Sequence, residues 1–163
     1  MELLINELEF CLSNKMFIVS LNIALTIPDI CSALQSENGC TTGKKYANWV
    51  DKYISPKYNQ SITGDDVYKL RCASLHQGKF NHDFPKFEKI IFIIPSNNYL
   101  HRLTINNSYA LDVFTFITDI IEGYKEWKKD NSLNENVTKN SIESFTFHPK
   151  GLSPYIIGLP LFA

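Results

Sequence analysis

Arginine is scarce in this chain of 163 residues, because only Arg71 and Arg102 occur among its 16 basic residues. The sequence has no C-x-x-C pair, and no histidine stands at a zinc-like spacing from its four cysteines. It also has no glycine-rich phosphate loop and no internal repeat. These absences argue against a disulfide framework and a zinc module. We expect a protein that needs no metal or other cofactor.

A basic N-terminal start and a long apolar run are missing as well. The chain opens with the acidic, helix-patterned MELLINELEF (1–10), which is unlike a secretion signal. The most apolar window, MFIVSLNIALTI (16–27), has 12 residues and is followed at once by Pro28. A window of this length is too short to cross a bilayer. The sequence therefore predicts a cytoplasmic protein that does not enter the membrane.

Hydrophobic periodicity predicts a mainly α-helical fold. Apolar residues recur at intervals of three and four in five segments, at 2–13, 15–36, 44–54, 66–77 and 108–130. Pro28 falls inside the second segment, where a kink is expected. Four or five helices of this kind pack naturally as a bundle, which we place at residues 1–130.

Two segments interrupt the helical pattern. The Ile- and Phe-rich segment 86–95 is bounded by two prolines, and the segment 99–106 alternates as a partner strand would. We therefore predict a β-hairpin inserted at about 86–106. Residues 131–163 are expected to form a polar linker and an irregular apolar tail, which packs on the domain or on a neighbouring subunit.

The net charge of −1 hides an uneven distribution. Residues 1–39 carry one basic and five acidic residues, residues 40–90 carry nine and five, and residues 91–163 carry six and seven. The positive middle segment would attract an anion such as phosphate, or its lysines simply solvate helix faces. A total charge near zero argues against strong nonspecific binding to nucleic acid.

The stretch YKLRCASLHQGKF (68–80) places His76 five positions after Arg71. Gly78 is a natural end for this helix, so His76 lies in its last turn. Positions five apart on a regular helix differ by about 140° around the axis. We therefore expect the two side chains to converge only if the helix end unwinds or a second subunit completes the site. In the alternative interpretation His76 only caps the helix, and Arg71 forms an ion pair with Asp29 or Asp66.

An Arg-x4-His pair near the end of a late helix, followed by Gln-Gly, resembles the motif of the HEPN domain (higher eukaryotes and prokaryotes nucleotide-binding). The stretches IALTIPDICSAL (23–34) and YANWVDKYI (46–54) resemble the preceding helices of bacterial members. The resemblance covers about residues 1–130 and implies a helical bundle that forms a homodimer, with both motifs facing one cleft. It also implies a metal-independent endoribonuclease in stress response or phage defence. The alternative is an inactive module that binds RNA, a nucleotide or a protein such as an antitoxin.

The resemblance implies that Arg71 and His76 are the catalytic pair. His76 would take a proton from the RNA 2′-hydroxyl or give one to the leaving oxygen, and Arg71 would hold the phosphate oxygens. Cys72 departs from the family pattern, in which Asn or Asp usually follows the arginine. Two pairs at one open groove would favour catalysis, whereas pairs bound to Asp29 and closed to solvent would favour the binding module.

Four further residues are candidates for substrate binding or support. Asp29 would orient Arg71 or His76 from a facing helix, or it would instead cap the backbone freed at Pro28. Tyr68 precedes Arg71 by three residues and so lies on nearly the same face. The four candidates are Asp29, Tyr68, Lys69 and Gln77. The remaining histidines, His82, His101 and His148, are expected at the surface or in turns.

Overall fold

The computed structural model describes residues 1–80, 83–142 and 144–163. Within these residues the helices are α1 (Glu2–Ser13), α2 (Phe17–Leu34), α3 (Gly43–Tyr53), α4 (Gly64–Gln77), α5 (Val113–Asp130) and α6 (Glu135–Ser141), with a 3-10 turn at Ser55–Tyr58. Three strands precede α5, namely β1 (Lys89–Ile93), β2 (Leu103–Ile105) and β3 (Ser108–Asp112). Four two-residue strands follow α6, namely β4 (Phe147–His148), β5 (Gly151–Leu152), β6 (Ile156–Ile157) and β7 (Leu161–Phe162). The predicted mainly helical class is confirmed.

Helix α2 is the centre of the bundle, since α1, α3, α4, α5 and α6 all pack against it. Its side chains Leu21, Leu25 and Ile27 are fully buried in the core. The helix runs through Pro28 without ending there, so it is longer than the 12-residue apolar window. The mean hydropathy of its 18 residues is 1.8, so by length and composition alone the helix could cross a membrane. Half of the helix is buried inside the fold. Packing inside the bundle accounts for the apolarity of the buried half.

The predicted β-hairpin at 86–106 is wrong. Strands β1 and β2 do not pair with each other, because each pairs with β3 to give the order β1-β3-β2. Strand β1 is parallel to β3, with Lys89 opposite Ser108, and β2 is antiparallel to it. All five residues of β3 are buried, whereas all three residues of β2 are exposed. A strand that is buried throughout takes the centre of a sheet, and an exposed one takes its edge.

The last long helix begins later than the sequence predicts. Residues 108–112 form β3, and α5 starts directly afterwards at Val113. The Asp112 side chain is the N-cap, and its Oδ1 accepts the Thr115 N–H at 2.8 Å. Such a cap supplies a partner for a helix N–H that would otherwise lack one. The strand and the helix are therefore joined at one residue without a loop.

Helices α3 and α4 are in close backbone contact at Gly64. A Cβ added at this position would lie 2.6 Å from the Cα and the carbonyl carbon of Ala47. The Gly64 N–H donates to Asp51 Oδ1 at 2.6 Å. Thr63 and Asp66 then form a reciprocal capping box that starts α4. A side chain at position 64 would push the two helices apart.

His101 supports the junction between β3 and α5. Its Nδ1 accepts the backbone N–H of Asp112 at 3.1 Å, and its ring lies 5.6 Å from the ring of Tyr58. Burial lowers the pKa of His101, and the positive charge of Arg102 lowers it further. Protonation of His101 at Nδ1 would remove the acceptor for the Asp112 N–H.

The stability of the fold is therefore expected to decrease as the pH falls below about 6.5, the ordinary pKa of histidine. The folded-state pKa of His101 is lowered, so as the pH decreases the unfolded chain binds a proton at this histidine before the folded chain does. The free energy of unfolding therefore decreases as the pH decreases. Urea unfolding between about pH 7 and about pH 5 measures this slope. His101→Asn keeps an acceptor but cannot titrate, so its slope should be smaller. His148→Asn is the control, and equal slopes in both variants would contradict the assignment.

The segment after α5 is more ordered than the predicted linker. Helix α6 is capped by Asn134, whose Oδ1 accepts the N–H groups of Asn136 and Val137. Asn140 Nδ2 donates to the carbonyls of Leu34 and Ser36 at 2.9 and 2.8 Å, which ties α6 to the end of α2. Apolar periodicity could not show this helix, because Val137 is its one apolar side chain packed on the core and its other described contacts with the bundle are polar.

Candidate functional site

Helix α4 carries the Arg-x4-His motif. Its capping box fixes the start, and Gly78 ends it in the left-handed conformation with φ 63°. The Gly78 N–H donates to the Ser74 carbonyl at 3.1 Å. Arg71 therefore lies in the second half of a regular helix, and His76 lies in its last turn, as the sequence predicts.

The side chains of Arg71 and His76 are in contact. Arg71 Nη1 lies 3.1 Å from His76 Nε2, although α4 remains helical through Gln77. The expectation that contact requires an unwound helix end or a second subunit is therefore wrong. The angle of about 140° describes where the side chains start. The arginine side chain is long enough to bridge this separation, and a helical side chain such as His76 leans back towards the N-terminus.

The contact between Arg71 and His76 is a hydrogen bond in one tautomer of the imidazole only. A guanidinium has only donors, so Nε2 of His76 must be the acceptor. In the tautomer that makes this hydrogen bond, the ring proton lies on Nδ1. A neutral imidazole is the form that can accept a proton from a hydroxyl group.

Asp29 holds Arg71 from the facing helix α2. Arg71 Nε donates to Asp29 Oδ2 at 2.8 Å, and the two side chains are 22% and 14% exposed. Burial raises the pKa of the Asp29 carboxyl, and the Arg71 charge opposes that shift. In the described part of the chain, the Asp29 carboxylate therefore binds Arg71 and not backbone freed at Pro28. Of the two predicted ion-pair partners, Asp66 is instead part of the capping box.

A second polar contact fastens α4 to α2 one turn further along. Ser74 Oγ donates to Asn22 Oδ1 at 2.6 Å. Asn22 and Asp29 are seven positions apart, so they share one face of an otherwise apolar helix. This spacing is the sequence signal that places the polar face of α2 against α4, and it was missed.

Tyr68 lies beside the pair and packs on the buried Tyr46, with the ring centroids 5.3 Å apart. A Cβ on Gly43 would lie 2.7 Å from Tyr68 Cε1, so a glycine is needed there for this ring position. The Cys72 side chain next to the Tyr68 hydroxyl raises the pKa of Tyr68. Tyr68 is therefore a neutral hydroxyl at neutral pH, available at the edge of the site.

The other predicted site residues are placed less favourably. Lys69 Nζ donates to the Asp83 carbonyl at 2.9 Å, so this lysine fastens the segment after α4 and is not brought to the pair. Gln77 is exposed in the last turn, next to His76. Among the other histidines, His101 binds the β3–α5 junction and His148 lies in β4, while His82 falls outside the described residues.

The pair is bound to Asp29 but is open to solvent. His76 is exposed, and Arg71 is partly exposed. The arrangement is an exposed imidazole beside a guanidinium whose position is fixed by Asp29 of α2. Such a site can hold an anion and accept a proton from a nucleophile beside it. In residues 1–80, 83–142 and 144–163, no group of three or more His, Cys, Asp or Glu side chains is placed to hold a metal ion.

Comparisons of this chain with protein-family models, with curated proteins and with solved structures found no match.

Proposed function

We propose that this protein is a HEPN-like endoribonuclease that cleaves RNA without a metal ion and acts as a homodimer in stress response or phage defence. The observation that carries the proposal is the 3.1 Å contact between Arg71 Nη1 and His76 Nε2 at an exposed helix end. The ion pair with Asp29 supports it, because a fixed guanidinium needs little reorganisation when a phosphate arrives.

The proposed reaction is an internal transfer at phosphorus. The 2′-hydroxyl oxygen attacks the adjacent phosphorus, the bond to the 5′-oxygen of the next nucleotide breaks, and a 2′,3′-cyclic phosphate forms. His76 Nε2 accepts the proton of the attacking hydroxyl, and the leaving 5′-oxygen takes a proton from water. Arg71 donates to the nonbridging oxygens as they gain negative charge. The phosphate would replace His76 as the acceptor for Nη1, which frees Nε2 for the proton.

The homodimer has a physical purpose in this proposal. A single helix end presents the pair on an open surface, which gives an RNA strand few contacts. Two chains whose motifs face each other would form a groove with two guanidinium groups. The positive charge of residues 40–90 would add to the attraction of the RNA backbone.

RNA cleavage by the purified protein in excess EDTA tests the function directly. We expect cleavage to persist in the chelator and to leave cyclic phosphate and 5′-hydroxyl ends. The double variant Arg71→Ala/His76→Ala, purified in the same way, is the control for a contaminating nuclease and should cleave nothing. Loss of cleavage in EDTA, or products with 3′-hydroxyl and 5′-phosphate ends, would rule out the proposed reaction.

The second candidate function is an inactive HEPN-like module that binds RNA, a nucleotide or a protein. Two observations favour it. Asp29 would hold Arg71 in the same way in a purely structural cluster, and Cys72 stands where active members usually have Asn or Asp. Binding of RNA by the wild-type protein, without cleavage over a panel of sequences, would support this candidate over the nuclease.

A further inference from the structure

Residues 145–163 form an antiparallel hairpin, which we call the C-terminal arm. Strand β4 pairs with β7, and β5 pairs with β6. Apart from Thr146 Oγ1, which donates to the Ser144 carbonyl just before the arm, the hydrogen bonds described for residues 145–163 lie within this segment. A two-stranded hairpin alone is marginally stable in water, so its stability depends on a surface that covers it.

The arm has an unusually apolar surface for an exposed element. Tyr155 is 80% exposed and Ile157 is 77% exposed. Four more large apolar side chains of the arm are at least 48% exposed, namely Phe147, Ile156, Leu159 and Phe162. Lys150 is the only Lys, Arg, Asp or Glu in the sequence of the arm. Apolar area of this extent, concentrated on one hairpin, marks a contact surface.

The bundle carries an apolar surface that is open as well. A cavity of about 420 Å³ lies between the α1–α2 turn, the segment after β1 and the start of α5, with Leu12, Phe17, Tyr99 and Phe114 in its lining. A second cavity, of about 170 Å³, shares Phe17 and adds Ile18 and Ile94. We call the two together the apolar cleft. Tyr99 and Ile18 are 69% and 67% exposed at its rim.

The C-terminal arm and the apolar cleft are both exposed to solvent in the same chain. The chain therefore holds two apolar surfaces that it does not bring together, although each is large enough to need a partner. We propose that the C-terminal arm of one chain docks in the apolar cleft of a second copy, and that the exchange is reciprocal. A twofold dimer satisfies both surfaces of both chains at once.

The exposed area is sufficient for a stable dimer. Exposed side chains of this size present on the order of 700 Å² of apolar surface on each arm. Burial of only half of this area, over two arms and two clefts, would exceed the roughly 1,000 Å² expected of a specific interface. The inference concerns which surfaces associate and not RNA cleavage. A monomeric protein would overturn both this inference and the homodimer of the proposed function, whereas a dimer that both variants leave unchanged would overturn only the exchange.

Sedimentation velocity of the full chain at tens of micromolar tests the exchange. We expect a dimer whose dissociation constant rises by at least about tenfold in the arm variant Ile157→Asp and in the cleft variant Ile18→Asp. Ile18 lies at the second position of α2, where an acidic residue suits the helix N-terminus, so this variant should fold. Leu133→Asp is the matched control, because Leu133 is 94% exposed and lies outside both surfaces.

Mixing the two variants distinguishes exchange from other contacts. A heterodimer of the Ile157→Asp and Ile18→Asp chains keeps one intact arm and the one intact cleft that receives it. We expect the mixture to associate more tightly than either variant alone. A monomeric wild-type protein, unchanged association in either variant, or a mixture no tighter than its components would each overturn the proposal. Binding of the full wild-type chain to lipid vesicles through its arm, with no dimer formed, would also overturn the proposal.

Discussion

His76→Ala is expected to lower the rate of RNA cleavage by about 100- to 10,000-fold, because the imidazole is the group proposed to accept the hydroxyl proton. The side chain is exposed in the last turn of α4, so the fold should remain intact. We expect the free energy of unfolding to change by no more than about 0.5 kcal/mol. Single-turnover cleavage and urea unfolding of the same preparation measure both quantities.

Two further substitutions separate the roles within the site. Arg71→Lys keeps a positive charge but loses the planar fork, so it cannot bind Asp29 and a phosphate at once. It should be nearly as inactive as His76→Ala. Asp29→Asn keeps an acceptor for Arg71 and should retain more activity than either variant. If His76→Ala cleaves RNA at the wild-type rate, the pair is structural and the binding module becomes the better description.

Gly64→Ala is expected to lower the free energy of unfolding by about 3 kcal/mol, at the upper end of what overpacking in a core usually costs. The added methyl group would lie 2.6 Å from the Cα and the carbonyl carbon of Ala47, and backbone atoms cannot rotate away as a side chain can. Helices α3 and α4 would have to separate. Urea unfolding monitored by circular dichroism measures the loss.

Gly78→Ala is the matched control for this prediction. Gly78 has a φ of 63°, but a Cβ there would meet nothing within 4 Å. The substitution should therefore carry only the strain of a left-handed alanine, about 1 kcal/mol. Equal losses in the two variants would mean that backbone conformation, and not the close approach of the helices, makes glycine necessary at position 64.

Periodicity is sufficient to predict α1 to α4 because their apolar faces are what the bundle buries. The predicted segment 66–77 and the observed α4 (Gly64–Gln77) differ by two residues at one end. The sheet was mispredicted because periodicity does not choose between partners. Residues 108–112 are apolar and run directly into a helical pattern, so they were assigned to that helix.

The candidate site shows a similar division. Arg71 is the one arginine of α4, and Asp29 is the one carboxylate of the facing helix α2. Their ion pair was among the predicted alternatives. The contact of Arg71 with His76 was missed, because an angle measured around the helix axis ignores the length of the arginine side chain. Which residue of α2 meets Arg71 and which meets Ser74 depends on how the two helices pack, and the sequence of one helix alone does not determine this.

The central position of β3 has a consequence for how the chain folds during synthesis. Helices α1 to α4 contact near neighbours in sequence, so they can assemble early. Strands β1 and β2 are both synthesised before β3, the strand with which each of them pairs. Because β3 continues directly into α5, closure of the sheet and docking of α5 on α2 should occur as one late event. A nascent chain that ends before residue 108 would therefore hold a helical core beside two strands that still lack their partner.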